Sequence, residues 1–226
     1  MKPRQEGETA LRQRIPAVLL LCAAVFPLRA TAQSLPPALA RAERTYDRLL
    51  SLRTQFTQII ANPMMGGPDT TTGTLWLAPP ARFAMRFSNG DRLVADGTYL
   101  WAWTPSTMDD QVIRQPIPAE GAVTPNLFGQ FVEDPASRYD ISMEPGDRVD
   151  SIAVDVVRLV PHDVDAMGFR RADLAIDANG WIRRLVLVES SGQRRTLVFR
   201  NITPGAAVPP DEVRFVVPDG VRIVGG

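Results

Sequence analysis

Residues 73–104 read GTLWLAPPARFAMRFSNGDRLVADGTYLWAWT, and this stretch decides the fold. Apolar side chains alternate through four short runs: Gly73 to Leu77, Arg82 to Phe87, Asp91 to Ala95 and Thr98 to Thr104. A period of two marks strands whose successive side chains point to opposite faces. The separators are Pro79-Pro80, Ser88-Asn89-Gly90 and Asp96-Gly97. Asn-Gly and Asp-Gly supply the positive φ that tight hairpins need, so the runs fold back on one another as an antiparallel meander.

On the N-terminal side, Leu52 to Ile60 alternates loosely as a further strand, and a Gly/Pro/Met loop spans Asn62 to Asp69. Before it, Ala38 to Leu50 reads as an amphipathic helix. Leu39, Ala42, Tyr46 and Leu49 form its apolar stripe, and Ser34, Pro36 and Pro37 suit its start. On the C-terminal side, prolines at 105, 116, 118, 125 and 135 interrupt the pattern. Within that interval Thr124 to Phe131 suggests a short helix with a Thr cap and Pro at its first position. Strands resume at Tyr139–Met143, Asp150–Val160, Phe169–Asp177, Trp181–Glu189, Arg194–Arg200, Glu212–Val217 and Val221–Val224. About a dozen short strands with two or three helices, and no repeat, make one α+β domain on a large antiparallel sheet.

The N-terminus fixes the compartment. Lys2, Arg4, Arg12 and Arg14 precede an apolar run from Ile15 to Leu28, too short to span a bilayer as a helix. Ala30-Thr31-Ala32 is a small-x-small cleavage signature. Residues 1–32 therefore read as a cleaved secretory signal and 33–226 as the exported domain. Leu21 before Cys22 does not suit lipid attachment, and Gln13 between Arg12 and Arg14 does not suit a twin-arginine signal. Cys22 is the only cysteine and leaves with the signal, so no thiol, disulfide or Cys-ligated metal is available afterwards. The signal also removes more basic than acidic residues. The remainder has a slight acidic excess and no electrostatic footprint for nucleic acid.

The strand faces carry an apolar surplus. Phe83, Met85 and Phe87 share one face of a strand, and Tyr99, Trp101 and Trp103 share one face of another. Phe56, Leu75, Leu77, Leu185 and Leu187 can join them. Two readings stay open: a sheet closed on a packed core, or a face that lines a pocket for an apolar ligand under helical lids.

Signals for catalysis are weak. His162, the only histidine, sits in a polar stretch beside Asp163 and Asp165, without the spacing of a calcium loop. No Gly-x-Ser-x-Gly elbow is present. Asp109-Asp110, Glu133-Asp134 and Asp211-Glu212 are adjacent pairs, which a strand would point to opposite faces. The chain is expected to be no enzyme and to need no cofactor or metal.

Several stretches together resemble one family, the periplasmic outer-membrane lipoprotein carriers (LolA). Phe56-Thr57-Gln58 is similar to the family's Phe-x-Gln. Gly73-Thr74-Leu75-Trp76-Leu77 with Pro80 and Phe83 is similar to its Gly-x-Leu-Trp hairpin. Val94-Ala95-Asp96-Gly97 through Leu100-Trp101 resembles its Val-x-Asp-Gly-x-x-Leu-Trp segment. Leu159-Val160-Pro161, Phe215 and Pro218-Asp219-Gly220-Val221 resemble its later strands and its close.

The resemblance implies a strongly curved, open antiparallel sheet, an incomplete barrel with helices as a lid over a hydrophobic cavity. It implies a periplasmic monomer that takes acylated lipoproteins from an inner-membrane ATP-binding-cassette release complex and passes them to an outer-membrane lipoprotein receptor. On that reading Phe56, Leu75, Leu77, Phe83, Met85, Phe87, Trp101 and Trp103 form the cavity wall. Tyr46, Leu49, Leu127, Phe128 and Phe131 form the lid. The family's lid-closing arginine after the Leu-Trp strand is replaced here by Pro79; either Arg82, three residues on, substitutes for it or the lid closes less firmly. The alternatives are a carrier of another lipid or glycolipid on the same fold, or an envelope lipid-sensing domain.

Overall fold

Pro36 and Pro37 set the first turn of helix α1 (Pro37–Asp47), whose apolar stripe turns Ala38, Leu39, Ala42 and Tyr46 inward. Leu49 follows it into the core while Leu50 stays in solvent. The computed structural model describes residues 35–64, 66–117 and 127–225. The expected signal at 1–32, and the expected helix start at Thr124 and Pro125, lie outside the described residues. Ser34–Gly226 forms one compact unit.

Six strands follow α1 as a meander: β1 (Leu52–Ala61), β2 (Asp69–Ala78), β3 (Arg82–Phe87), β4 (Arg92–Asp96), β5 (Tyr99–Thr104) and β6 (Met108–Pro116). Gly90 and Gly97 take positive φ at the expected tight turns. Helix α2 (Gly129–Val132) and a one-turn 3₁₀ helix (Pro135–Ser137) lead into β7 (Tyr139–Val149) and β8 (Ile152–Pro161). Then come α3 (Val164–Met167), β9 (Phe169–Ile176), β10 (Ile182–Glu189), β11 (Arg194–Pro204) and β12 (Arg222–Val224).

All twelve strands belong to one sheet in the order β12-β6-β5-β4-β3-β2-β1-β11-β10-β9-β8-β7. The first and last members do not pair, so the sheet is curved but open. Bulges in the β1/β11, β9/β10, β5/β6 and β7/β8 ladders locally increase its twist.

Three expectations change. The proline-broken interval contains β6, which was not foreseen because Val112 is its one fully buried residue. Residues 212–217, expected as a strand, are irregular. Val213 and Phe215 are nevertheless buried and Val216 is 70% exposed, so the alternation records one-sided burial without ladder pairing. The expected last strand is only β12, and it runs parallel to β6.

Candidate functional site

Register determines which side chains share a face. Phe56, Gly73 and Phe87 lie in one row across β1, β2 and β3, and Leu75, Met85 and Leu93 lie in the next. A third row runs Leu77, Phe83, Ala95, Leu100. Phe199, Leu197, Leu185 and Leu174 continue the same face through β11, β10 and β9. These residues belong to the main core, together with the inward side chains of α1 and α2.

Gly73 makes this surface possible. A Cβ there would stand 2.2 Å from the Arg86 carbonyl oxygen and 2.5 Å from the Phe56 ring. The missing side chain leaves room for the Phe56 ring against β2, where it meets Phe87 edge-on at 5.0 Å. The sequence quoted this glycine within a motif but gave no sign of the ring above it.

Two short helices cover the face by different means. Helix α1 is bound to the sheet at several points. Thr45 Oγ1 donates to the Asn179 carbonyl at 2.9 Å, the Ile182 amide donates to Tyr46 Oη at 3.3 Å, and Arg41 pairs with Asp155 at 2.6 Å. Gly180, with φ of +85°, lets the helix approach: a Cβ there would lie 2.4 Å from Thr45 Oγ1. Burial pushes the Tyr46 pKa well above the usual phenol value against the opposing Ile182 amide, so its hydroxyl remains neutral.

Helix α2 is only four residues long and has no side-chain cap. Its hold is aromatic. Phe128 and Phe131 are among the largest fully buried side chains of the chain. Phe128 packs on Tyr46 at 4.8 Å and on Phe199 at 5.1 Å. Phe131 lies 5.9 Å from Phe169 and 6.5 Å from Tyr139. Two polar ties add to this: Tyr139 Oη donates to the Gln130 carbonyl at 3.0 Å, and the Arg138 guanidinium donates to the Glu133 carbonyl just past the helix. Burial pushes the Tyr139 pKa up to about 12, against the nearby Arg138 charge, so this donor keeps its proton.

The expected wall residues Phe56, Leu75, Leu77, Phe83, Met85 and Phe87 therefore share one face, and Tyr46, Leu49, Leu127, Phe128 and Phe131 pack over it. Trp101 and Trp103 do not. Trp101 stands in register with Val94, Ala84 and Trp76 on the opposite face. There it stacks on Phe215 at 5.2 Å, and Trp103 meets the same ring. On β5 both faces are apolar, with Leu100 and Ala102 between the aromatics, so alternation alone does not say which side faces in.

Arg82 is also displaced from its expected role. It alternates with Phe83 onto the outer face, beside Gly97 and Asp96. No hydrogen bond from Arg82 to a helix carbonyl occurs among the described residues. Burial disfavours the Asp96 carboxylate, but the Tyr99 amide, the Trp101 indole, the Thr98 amide and the Arg82 charge outweigh it and hold its pKa below the usual range.

His162 is a half-exposed loop residue, 3.3 Å from Asp140 Oδ1 and 3.3 Å from the Ser137 carbonyl. Among the described residues no three His, Cys, Asp or Glu side chains group as metal ligands, and no helix is long and apolar enough to cross a membrane.

The family model described as outer membrane lipoprotein carrier protein LolA matches residues 47–216. The chain belongs to this family. Its relatives include outer-membrane lipoprotein carrier proteins of Xanthomonas axonopodis pv. citri, 28% identical, and Xanthomonas oryzae pv. oryzae, 27% identical. Each similarity spans 88% of this chain and 96% of the relative. Among solved structures, an uncharacterised conserved protein of Thermus thermophilus is similar, with a TM-score of 0.50, 14% identity, and coverage of 83% of this chain and 96% of that one. At that identity it supports the fold alone. The carrier-family match spans the curved wall and α2 but begins at the last residue of α1.

Proposed function

We propose that this chain is a non-enzymatic periplasmic carrier, which shields the acyl chains of lipoproteins between the inner and outer membranes. The observation that carries the reading is the apolar inner face of an open sheet, covered by α1 and by the four-residue α2, which is held chiefly through Phe128 and Phe131. A packed core of an ordinary domain is closed by its own large elements. Here a four-residue helix lies over β11, β9 and β7 through two aromatic side chains.

The energetics favour exchange. Withdrawing one Phe from the core forfeits roughly 2–3 kcal/mol, about the value of three or four buried CH₂ groups. An acyl chain of a dozen or more CH₂ groups returns about 0.8 kcal/mol for each one buried, so it outcompetes the plug without chemical energy at the carrier itself. The cargo reaches the protein from an inner-membrane ATP-binding-cassette release complex and leaves to an outer-membrane receptor, each step running toward the stronger apolar site.

The test is release. Mature protein is incubated with inner-membrane vesicles that hold labelled lipoprotein, with ATP. A soluble one-to-one complex of carrier and lipoprotein is the expected result. Uptake of a fluorescent fatty acid without any lipoprotein complex would reassign the cargo to another lipid, and failure to take up either would return the aromatic face to ordinary core.

A further inference from the structure

Beside α1 lies a cleft of about 540 Å³ that the acyl-binding face does not use. One wall is the helix, with Arg41, Arg44, Thr45 and Arg48. At 3.6 residues per turn these four side chains fall within about 100° of arc, and Glu43 and Asp47 fall outside it. The cleft is also lined by Ala178 and Asn179 of the β9–β10 turn and by Pro204 and Gly205 at the end of β11. Leu49, Leu50 and Trp181 supply an apolar floor, and Leu50 is 88% exposed.

Two of the three arginine charges are uncompensated. Arg41 is oriented by Asp155, yet its Nε is buried without a partner. Neither Arg44 nor Arg48 forms an ion pair among the described residues. Like charges three and four residues apart cost a helix a few tenths of a kcal/mol per pair, so the stripe is not there to stabilise α1. One cation in the last turn would satisfy the helix dipole. Three arginines facing a cleft do more than that.

We propose that this cleft docks an extended acidic segment of a partner protein, with at least two carboxylates flanking one apolar side chain. The carboxylates meet Arg44 and Arg48, whose planar guanidinium groups suit bidentate pairing. The apolar side chain covers Leu50 and Trp181. A bilayer is the weaker fit, because its phosphates lie in a plane, whereas these guanidinium groups line a cleft shared with the β9–β10 turn and the end of β11. Proximity to the cargo site follows from α1 itself, whose inner stripe packs Tyr46 against Phe128 while its flank carries the arginines. The inference rests on the carrier reading, since it concerns the surface that meets the donor or acceptor protein.

The experiment compares wild type with Arg44→Glu/Arg48→Glu and Arg44→Lys/Arg48→Lys. Three quantities are measured: uptake of a fluorescent fatty acid, ATP-dependent transfer of labelled lipoprotein from inner-membrane vesicles and onward to outer-membrane vesicles, and co-sedimentation with protein-free phosphatidylglycerol/phosphatidylethanolamine vesicles. Charge reversal is expected to leave fatty-acid uptake unchanged and to slow at least one transfer step by about tenfold. The lysine pair should keep most of the rate. Wild-type transfer should also weaken as salt rises, with a flatter response in the reversed variant. Unchanged transfer in both steps overturns the proposal. So does wild-type binding to protein-free vesicles that charge reversal abolishes in step with transfer, because the patch then meets lipid. If wild type itself transfers nothing, the carrier reading fails and the docking proposal goes with it.

Discussion

Phe128→Ala separates a plug from a core residue, because the two roles predict opposite responses to ligand. Phe128 is 1% exposed and touches the Tyr46 and Phe199 rings. Truncating it removes roughly 2–3 kcal/mol from the closed state, in which the ring is buried. In the open, loaded state the ring has already left the wall, so the same truncation removes little there. The open–closed equilibrium then shifts toward open by about 30- to 150-fold, at 1.4 kcal/mol per factor of ten. Where the closed state dominates, apparent affinity for an apolar ligand rises by a similar factor. The assay is a fluorescent fatty-acid titration of mature protein, with urea unfolding in parallel. Leu159→Ala is the control, since Leu159 is fully buried on β8 within the main core. Both variants should lose stability, and only Phe128→Ala should bind more tightly. If Phe128→Ala is destabilised while its affinity is unchanged or reduced, α2 is ordinary core and the displacement argument is wrong.

Two further outcomes test the frame around the site. Gly73→Ala should cost about 2 kcal/mol or more, read as a lower urea midpoint, because the new methyl meets the Arg86 backbone and the Phe56 ring at once. A midpoint within error of wild type would show that β2 and β3 part more easily than the close approach implies. Asp96→Asn should lower stability at neutral pH, since the folded carboxylate has a depressed pKa and is the favoured acceptor of two amides and the Trp101 indole. A depressed folded value means that this stabilisation is present above the unfolded pKa of about 3.9 and is lost as pH falls through the folded one. The gap between the two proteins should therefore close in acid, and a gap independent of pH would refute the assignment.

Much of the wall was legible in the sequence because β-strand physics is local. Alternation at Phe83, Met85 and Phe87, with turns at Asn89-Gly90 and Asp96-Gly97, needs no knowledge of the rest of the chain. The stripe Leu39, Ala42, Tyr46, Leu49 identified α1 for the same reason. What failed was choice of face. Trp101 and Trp103 are larger than Leu100 and Ala102, so a choice by side-chain size turns β5 over. The deciding fact lies about a hundred residues away in the chain, where Val213 and Phe215 cover the outer face and give those tryptophans a second core. Strand β6 was hidden for the converse reason, since a largely exposed strand near the sheet edge displays little alternation.

The same contrast between local and distant determinants bears on which element opens. A four-residue helix is far below the length at which helices persist alone, so α2 depends on its tertiary contacts, most of them apolar. Such elements sit at the low end of local opening free energies. Helix α1 is longer, and it is fastened through Arg41, Thr45 and Tyr46 to β8, the β9–β10 turn and β10. Within α2 the fastening is uneven. The bonds from Tyr139 and Arg138 reach Gln130 and Glu133, whereas Leu127 and Phe128, which precede both, are held to the wall by apolar contact. An entering acyl chain competes directly with apolar contact and cannot compete with a hydrogen bond to a carbonyl. Opening should then begin at Phe128 and pivot near Asp134, whose backbone already occupies the left-handed region at φ of 43°, with α1 remaining on the sheet.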